Sequence, residues 1–135
     1  LIFIDTNIFM YAAGGDHQNK IPSLKLLHDA AARKIDGCTN VEVLQEILHR
    51  YRSIKRWDDG KEVYTLASAI IPKIYAIDKA VLDRCYEIMN KYTDMSARDC
   101  LHIAFCRESG IDTICSFDKD FDGIDELNRA EPQTI

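Results

Sequence analysis

No apolar run in the sequence approaches the roughly 18 to 20 residues needed to cross a bilayer, so a membrane protein is not expected. Positive charge is not in surplus either. The 17 Lys and Arg stand against 22 Asp and Glu, for a net charge of −5. Bulk electrostatics therefore disfavours a polyanion partner, and a nucleic-acid function needs metal ions or a local basic patch. The five cysteines lack paired spacing, which argues against a disulfide framework and fits a reducing cytosol. Leu1–Ile4 is too short for a secretory core and has no basic flank, so a cytoplasmic location is expected. Gly14-Gly15 has neither the lysine nor the helix start of a phosphate-cradling loop. With no repeat and no low-complexity linker, residues 1–135 are expected to form one domain around one core.

What is present is an alternation of short apolar runs and helical periodicities. Leu1-Ile2-Phe3-Ile4 reads as a buried strand that ends at Asp5-Thr6-Asn7. A short helix over Ile8–Ala13 follows, then a helix opened by Pro22-Ser23 and running to about Lys34, with Leu24, Leu27, Ala31 and Ile35 on its inner face and Gly37 as its terminator. Cys38-Thr39 is a strand stub. Asn40 can cap a helix with a Val43, Leu44, Ile47, Leu48, Tyr51 stripe. Asp59 with Glu62 has capping-box spacing for a helix that turns Val63, Leu66, Ala67 and Ile70 inward and stops at Pro72. Ile74–Ile77 reads as a strand, and Asp78 caps a helix carrying Val81, Leu82, Cys85, Ile88, Met89 and Tyr92 along one side. Ser96 with Asp99 opens a helix from Ala97 to about Glu108, closed by Gly110. Thr113–Phe117 is a strand, Asp118–Asp122 an acidic turn, and a short edge strand lies near Pro132. Apolar strands alternating with helices imply a three-layer α/β/α fold with a central, mainly parallel sheet.

In such sheets ligands bind beyond the carboxyl ends of the strands, where strand order reverses. Asp5 closes the first strand and Asp118 follows the last clear one, so the two carboxylates meet if those strands are neighbours. Asp99, in the first turn of the helix feeding the Asp118 strand, can reach the same mouth, and Glu46 sits at the border of its helix's apolar stripe. Carboxylates sharing a cleft repel one another unless a hard divalent cation neutralises them. Each acid also has an ordinary structural use. Asp5 suits a cap, Glu46 can pair with Arg50 at i+4, Asp99 can complete a capping box with Ser96, and Asp118, Asp120 and Asp122 suit a solvated turn. Zinc at Cys100, His102 and Cys106 is disfavoured, since Cys100 faces about 160° from His102 on a helix and a second ligand pair is missing. The stretch from His49 to Trp57 interleaves cations with aromatics and suits either a phosphate backbone or a solvated helix end.

Four segments, in order, carry a resemblance. They are Ile4-Asp5-Thr6-Asn7, the stretch from Asn40 to Glu46, Arg98-Asp99-Cys100-Leu101-His102-Ile103-Ala104, and Ser116-Phe117-Asp118-Lys119-Asp120-Phe121-Asp122. Together they resemble the signatures of PIN-domain ribonucleases, nearest to the VapC-type toxins of prokaryotic toxin–antitoxin pairs. The resemblance implies a Mg²⁺- or Mn²⁺-dependent endoribonuclease with Asp5, Glu46, Asp99 and Asp118 as its acidic quartet. Asp122 is an auxiliary in this scheme, and Thr6, Asn7 and Ser116 are supporting polar residues. Asp5, Asp99 and Asp118 would bind metal and Glu46 would hold water or a second ion, leaving 5′-phosphate and 3′-hydroxyl ends. An RNA substrate, a protein antitoxin and a second copy of the chain are the partners implied. Two other readings are a PIN-like module that binds RNA or protein without cutting, and a phosphatase using a covalent aspartate. The second needs Asp-x-Asp after the first strand, where this chain has Asn7.

Overall fold

The computed structural model describes residues 1–135. Five strands, β1 (Ile2–Ile4), β2 (Gly37–Asn40), β3 (Lys73–Tyr75), β4 (Thr113–Cys115) and β5 (Asn128–Ala130), form one sheet in the order β3-β2-β1-β4-β5. All four pairings are parallel. Helices α1 (Thr6–Ala13) and α2 (Lys20–Ala31) join β1 to β2, and α3 (Val41–Ser53) and α4 (Trp57–Ile70) join β2 to β3. Helices α5 (Lys79–Lys91) and α6 (Ala97–Glu108) carry the chain from β3 back across to β4. Because parallel crossovers are right-handed, this reversal puts α1–α4 on one face of the sheet and α5 and α6 on the other. Strand order changes direction between β1 and β4, which sets the mouth of the sheet there. No helix is long and apolar enough to cross a membrane.

Alternation along β1 serves both layers. Phe3 packs on Phe105 of α6, with ring centroids 5.5 Å apart, while Ile4 faces the opposite layer beside Gly37 and Ala30. Helix α6 is buried without interruption from Cys100 to Cys106, the pattern of a helix enclosed on all sides. All five cysteines are free and buried.

Local chemistry accounts for most helix starts. Asn40 accepts from Val43 N at 3.1 Å, Asp78 from Val81 N at 3.1 Å and the Ser96 hydroxyl from Asp99 N at 3.1 Å. Several expectations are corrected. The Asp59–Glu62 box does not form: Asp59 instead accepts from Arg56 Nε at 2.7 Å, and α4 starts earlier, at Trp57. Helix α2 starts at Lys20 and ends at Ala31, well before Lys34, because Arg33 takes a left-handed backbone (φ 58°). Gly37 is a strand residue, required for close approach: a Cβ there would lie 2.9 Å from Ile4 Cδ1 and 3.4 Å from Ala30 Cβ. Leu24 and Leu66 are exposed, and Leu26 and Ala30 form the buried side of α2 with Leu27.

Helices α3 and α4 approach each other at Gly60, where a Cβ would fall 2.6 Å from Tyr51 Cβ. Neither backbone can give way cheaply, so Gly60→Ala is expected to lower stability by about 1–3 kcal/mol. Urea unfolding should show a lower midpoint with an unchanged slope.

Candidate active site

Strand β1 stops at Ile4, but its ladder continues for one residue, with Asp5 N donating to the Cys115 carbonyl at 3.1 Å. That bond places Asp5 beside Ser116 at the mouth between β1 and β4. The chain then turns directly into α1, two residues earlier than the apolar pattern indicates, because Asp5 Oδ1 accepts from Thr6 N at 2.8 Å and caps the helix. Asp5 Oδ2 accepts from the Ser116 hydroxyl at 2.7 Å and from Asn7 Nδ2 at 3.3 Å. Ser116 Oγ in turn accepts from Asn7 Nδ2 at 2.9 Å and from Asp118 N at 3.0 Å, which completes its hydrogen-bonding capacity. Asn7 Oδ1 accepts from Phe117 N at 3.3 Å. One small polar network thus ties the end of β1, the start of α1 and the segment after β4 into a fixed unit.

Glu46 reaches this unit from α3. Its Oε2 accepts from the Thr6 hydroxyl at 2.6 Å, and its Oε1 lies 3.6 Å from Arg98 Nη1. Arg98, rather than Arg50, is its cationic partner, and also pairs with Glu42 at 3.3 Å. From α6, Asp99 brings a carboxylate to those of Asp118 and Asp120, the three offering oxygens within 4.8 Å of one another. A cavity of about 400 Å³ opens over the assembly, lined by Asp5, Thr6, Asn7, Glu46, Asp99 and Asp118, with Met10, Tyr11 and Arg50 also on its wall. The four acids singled out in the sequence therefore line one cavity. Asp122 does not join them: it pairs with Arg129 at 2.7 Å.

The electrostatics are those of crowded acids. Burial holds the Asp5 carboxyl above its usual range, opposed by the Ser116 hydrogen bond and reinforced by the charge of Asp118. Asp99 is pushed up to about 6, first by burial and then by Asp118. Carboxylates crowded in one cavity, where the Asp118 charge adds to burial in raising Asp5 and Asp99, are the donor set of a hard divalent cation, and Mg²⁺ or Mn²⁺ fits it. In metal-free buffer Asp99 therefore has a defined pH signature. Between about 3.9 and about 6 the folded state keeps a proton that the unfolded chain has lost, so its contribution to stability falls as pH rises through that window. The stability of Asp99→Asn relative to wild type should climb between about pH 4 and about pH 7.5 in EDTA. An unchanged difference in urea midpoint at the two pH values would contradict this.

Two residues near the site are not evident from the sequence. Arg98 is one, since its partners Glu42 and Glu46 lie on α3, far from it along the chain. His102 is the other. It is 1% exposed, neither ring nitrogen has a hydrogen-bond partner, and Nε2 lies 3.9 Å from Asp5 Oδ1. Burial holds its pKa down at about 4, so the ring is neutral. Its spacing of three from Asp99, which puts both on one face of α6, is the sequence signal for this placement.

The PIN domain family model matches residues 2–127. Ribonuclease VapC13 of Mycobacterium tuberculosis is 33% identical over 129 residues, which cover 96% of this chain and 98% of that protein. Among solved structures, VapC20 of Mycobacterium tuberculosis, described as a sarcin-ricin loop cleaving toxin, superposes with a TM-score of 0.75 at 18% identity, covering 94% of this chain and 98% of its own. VapBC2 from Rickettsia felis, solved bound to a DNA fragment from their promoter, gives a TM-score of 0.73 at 16% identity, with 97% and 98% covered. The chain belongs to the PIN-domain family.

Proposed function

We propose that this PIN-domain chain is a metal-dependent endoribonuclease and the toxin of a toxin–antitoxin pair, with residues 1–135 acting as one nuclease unit. The observation that carries the reading is the convergence of Asp5, Glu46, Asp99 and Asp118 on one cavity at the point where strand order reverses. A Mg²⁺ or Mn²⁺ ion bound there would supply an activated water and absorb the charge that develops on the phosphoryl oxygens. Asp5, Asp99 and Asp118 are its direct ligands in this proposal. Ser116 and Asn7 keep the Asp5 carboxylate from rotating, and Thr6 and Arg98 hold Glu46 facing the cavity to orient water or a second ion. From the basic stretch only Arg50 lines the cavity, where it can meet a phosphate, whereas Arg52 stacks on Trp57 at 4.4 Å and Arg56 pairs with Asp59. No side-chain nucleophile is required, and Asn7 is committed to Asp5 and Ser116 rather than serving as a second acid.

Incubation with single-stranded RNA tests the proposal. Cleavage should require Mg²⁺ or Mn²⁺, stop in EDTA, return when the ion is restored, and leave 5′-phosphate and 3′-hydroxyl ends. Cleavage that persists in EDTA would overturn the metal role.

The partner is a protein antitoxin that presents an arginine to the acidic cavity, where a bidentate guanidinium suits paired carboxylates. An apolar groove of about 340 Å³ between α1, α2 and α4 is available for an apolar segment of the same partner; Leu24 and Leu66, the residues turned out from the core, line it. A complex that leaves the acidic cavity open and RNA cleavage undiminished would contradict this arrangement.

A further inference from the structure

We infer that His102 supplies a nitrogen ligand to an inner divalent-cation site formed with Asp5 and Glu46, which makes the acidic centre selective for Mn²⁺ over Mg²⁺. The inference rests on the metal-nuclease reading and extends it to a residue outside the acidic quartet. His102 is 1% exposed and both of its ring nitrogens lack a partner, a costly state for buried polar atoms. Its ring packs on Phe3 at 5.0 Å, which fixes the plane of the imidazole, and Nε2 is 3.9 Å from Asp5 Oδ1. One ligand atom each from Asp5, Glu46 and His102 lie within 4.8 Å of one another. Ligands at about 2.1 Å from an octahedral ion stand roughly 3.0 Å apart when adjacent and about 4.2 Å apart when opposite, so modest side-chain movement closes this triangle on a cation. Asp5 and Glu46 also line the open cavity, which gives the ion its route in.

The chemistry of the donors sets the selectivity. Asp99, Asp118 and Asp120 offer only carboxylate oxygens, a set suited to Mg²⁺ and Mn²⁺ alike. An imidazole nitrogen suits first-row transition ions better than Mg²⁺, which favours oxygen and gives up its waters reluctantly. Asp5 is common to both arrangements, since its Oδ1 lies 3.9 Å from His102 Nε2 and it lines the same cavity as Asp99 and Asp118.

Pulsed electron paramagnetic resonance of Mn²⁺ bound to the full chain tests this without reference to activity. The chain has four histidines, and His17, His28 and His49 are exposed. The triple variant His17→Gln, His28→Gln, His49→Gln therefore leaves His102 as the sole imidazole, and its Mn²⁺ echo should carry ¹⁴N modulation that changes to the ¹⁵N pattern on labelling with ¹⁵N-histidine. His102→Gln should abolish the modulation and weaken Mn²⁺ binding by about tenfold or more, with Mg²⁺ affinity changed less than about threefold. Bound Mn²⁺ without imidazole modulation in the triple variant would overturn this inference and leave the all-oxygen site intact. Failure of wild type to bind Mn²⁺ at all would overturn the metal-nuclease reading together with it. Because the decisive spectrum comes from a protein that retains His102, a folding defect in His102→Gln does not remove the test.

Discussion

Asp5→Asn is expected to reduce RNA cleavage at least about a hundredfold, the order of loss seen when a single charge-stabilising group is removed from an active site. The fold should survive. An asparagine retains an acceptor for Thr6 N, so the cap of α1 persists, at the loss of the bonds that Asp5 Oδ2 accepts from Ser116 and Asn7. What disappears is the negative charge at the centre of the acidic group, and with it the strongest hold on a cation. Asp99→Asn should cost a similar factor, because Asp99 is the only acid that α6 contributes to the cavity wall. Asp122→Asn supplies the contrast. That carboxylate is tied to Arg129 at 2.7 Å, outside the cavity, and its loss should leave the cleavage rate within about twofold of wild type. Rates on one RNA, with circular dichroism to confirm folding, would distinguish these outcomes. Wild-type activity in purified Asp5→Asn would remove the mechanism.

A large thermal shift on adding metal is the second expected result. Burial and the charge of Asp118 raise the pKa of both Asp5 and Asp99 in the folded state, and unfolding removes both effects. Divalent cations bind only the folded arrangement. At a free concentration of about 100 times the dissociation constant, linkage gives about 2.7 kcal/mol. With an unfolding entropy of about 2.1 cal/mol/K per residue, the chain's length converts that to a rise of about 10 °C in Tm. In EDTA, Asp99→Asn should melt above wild type, since it removes a crowded charge while the Ser96 cap to the backbone N–H remains. With Mn²⁺ the order should reverse or close, because the variant has one ligand fewer. A capping role alone predicts the opposite: lower stability in EDTA and a full response to Mn²⁺. Melting curves of both proteins in EDTA and in millimolar Mn²⁺ separate the two.

The acidic centre was legible in the sequence where local chemistry controls it. The step from Ile4 to Asp5 marks a strand that ends in a carboxylate, and Asp118 repeats it after the segment that leads out of β4. Asn40, Asp78 and Ser96 announce their helices because a cap is a bond between near neighbours in the chain. Contacts distant in sequence were not legible. Periodicity groups Leu24 with Leu27, and Leu66 with Val63, but it does not say which edge of the stripe meets the sheet; packing of α1, α2 and α4 together leaves Leu24 and Leu66 on a groove. Gly37 looks like a helix terminator until Ile4 of the neighbouring strand is seen against it. Asp59 and Glu62 have the spacing of a capping box, yet Arg56 takes the Asp59 carboxylate. His102 lies in a buried helix, where its neighbours in sequence suggest only core, and its approach to Asp5 depends on how α6 crosses β1.

The most direct test of the central claim is an anomalous difference map from crystals of the protein grown with Mn²⁺. A peak is expected at the mouth between β1 and β4, with carboxylate oxygens of Asp5, Asp99 and Asp118 at about the 2.1 Å of octahedral coordination. A map without density among these acids, at Mn²⁺ concentrations that support RNA cleavage, would contradict the claim.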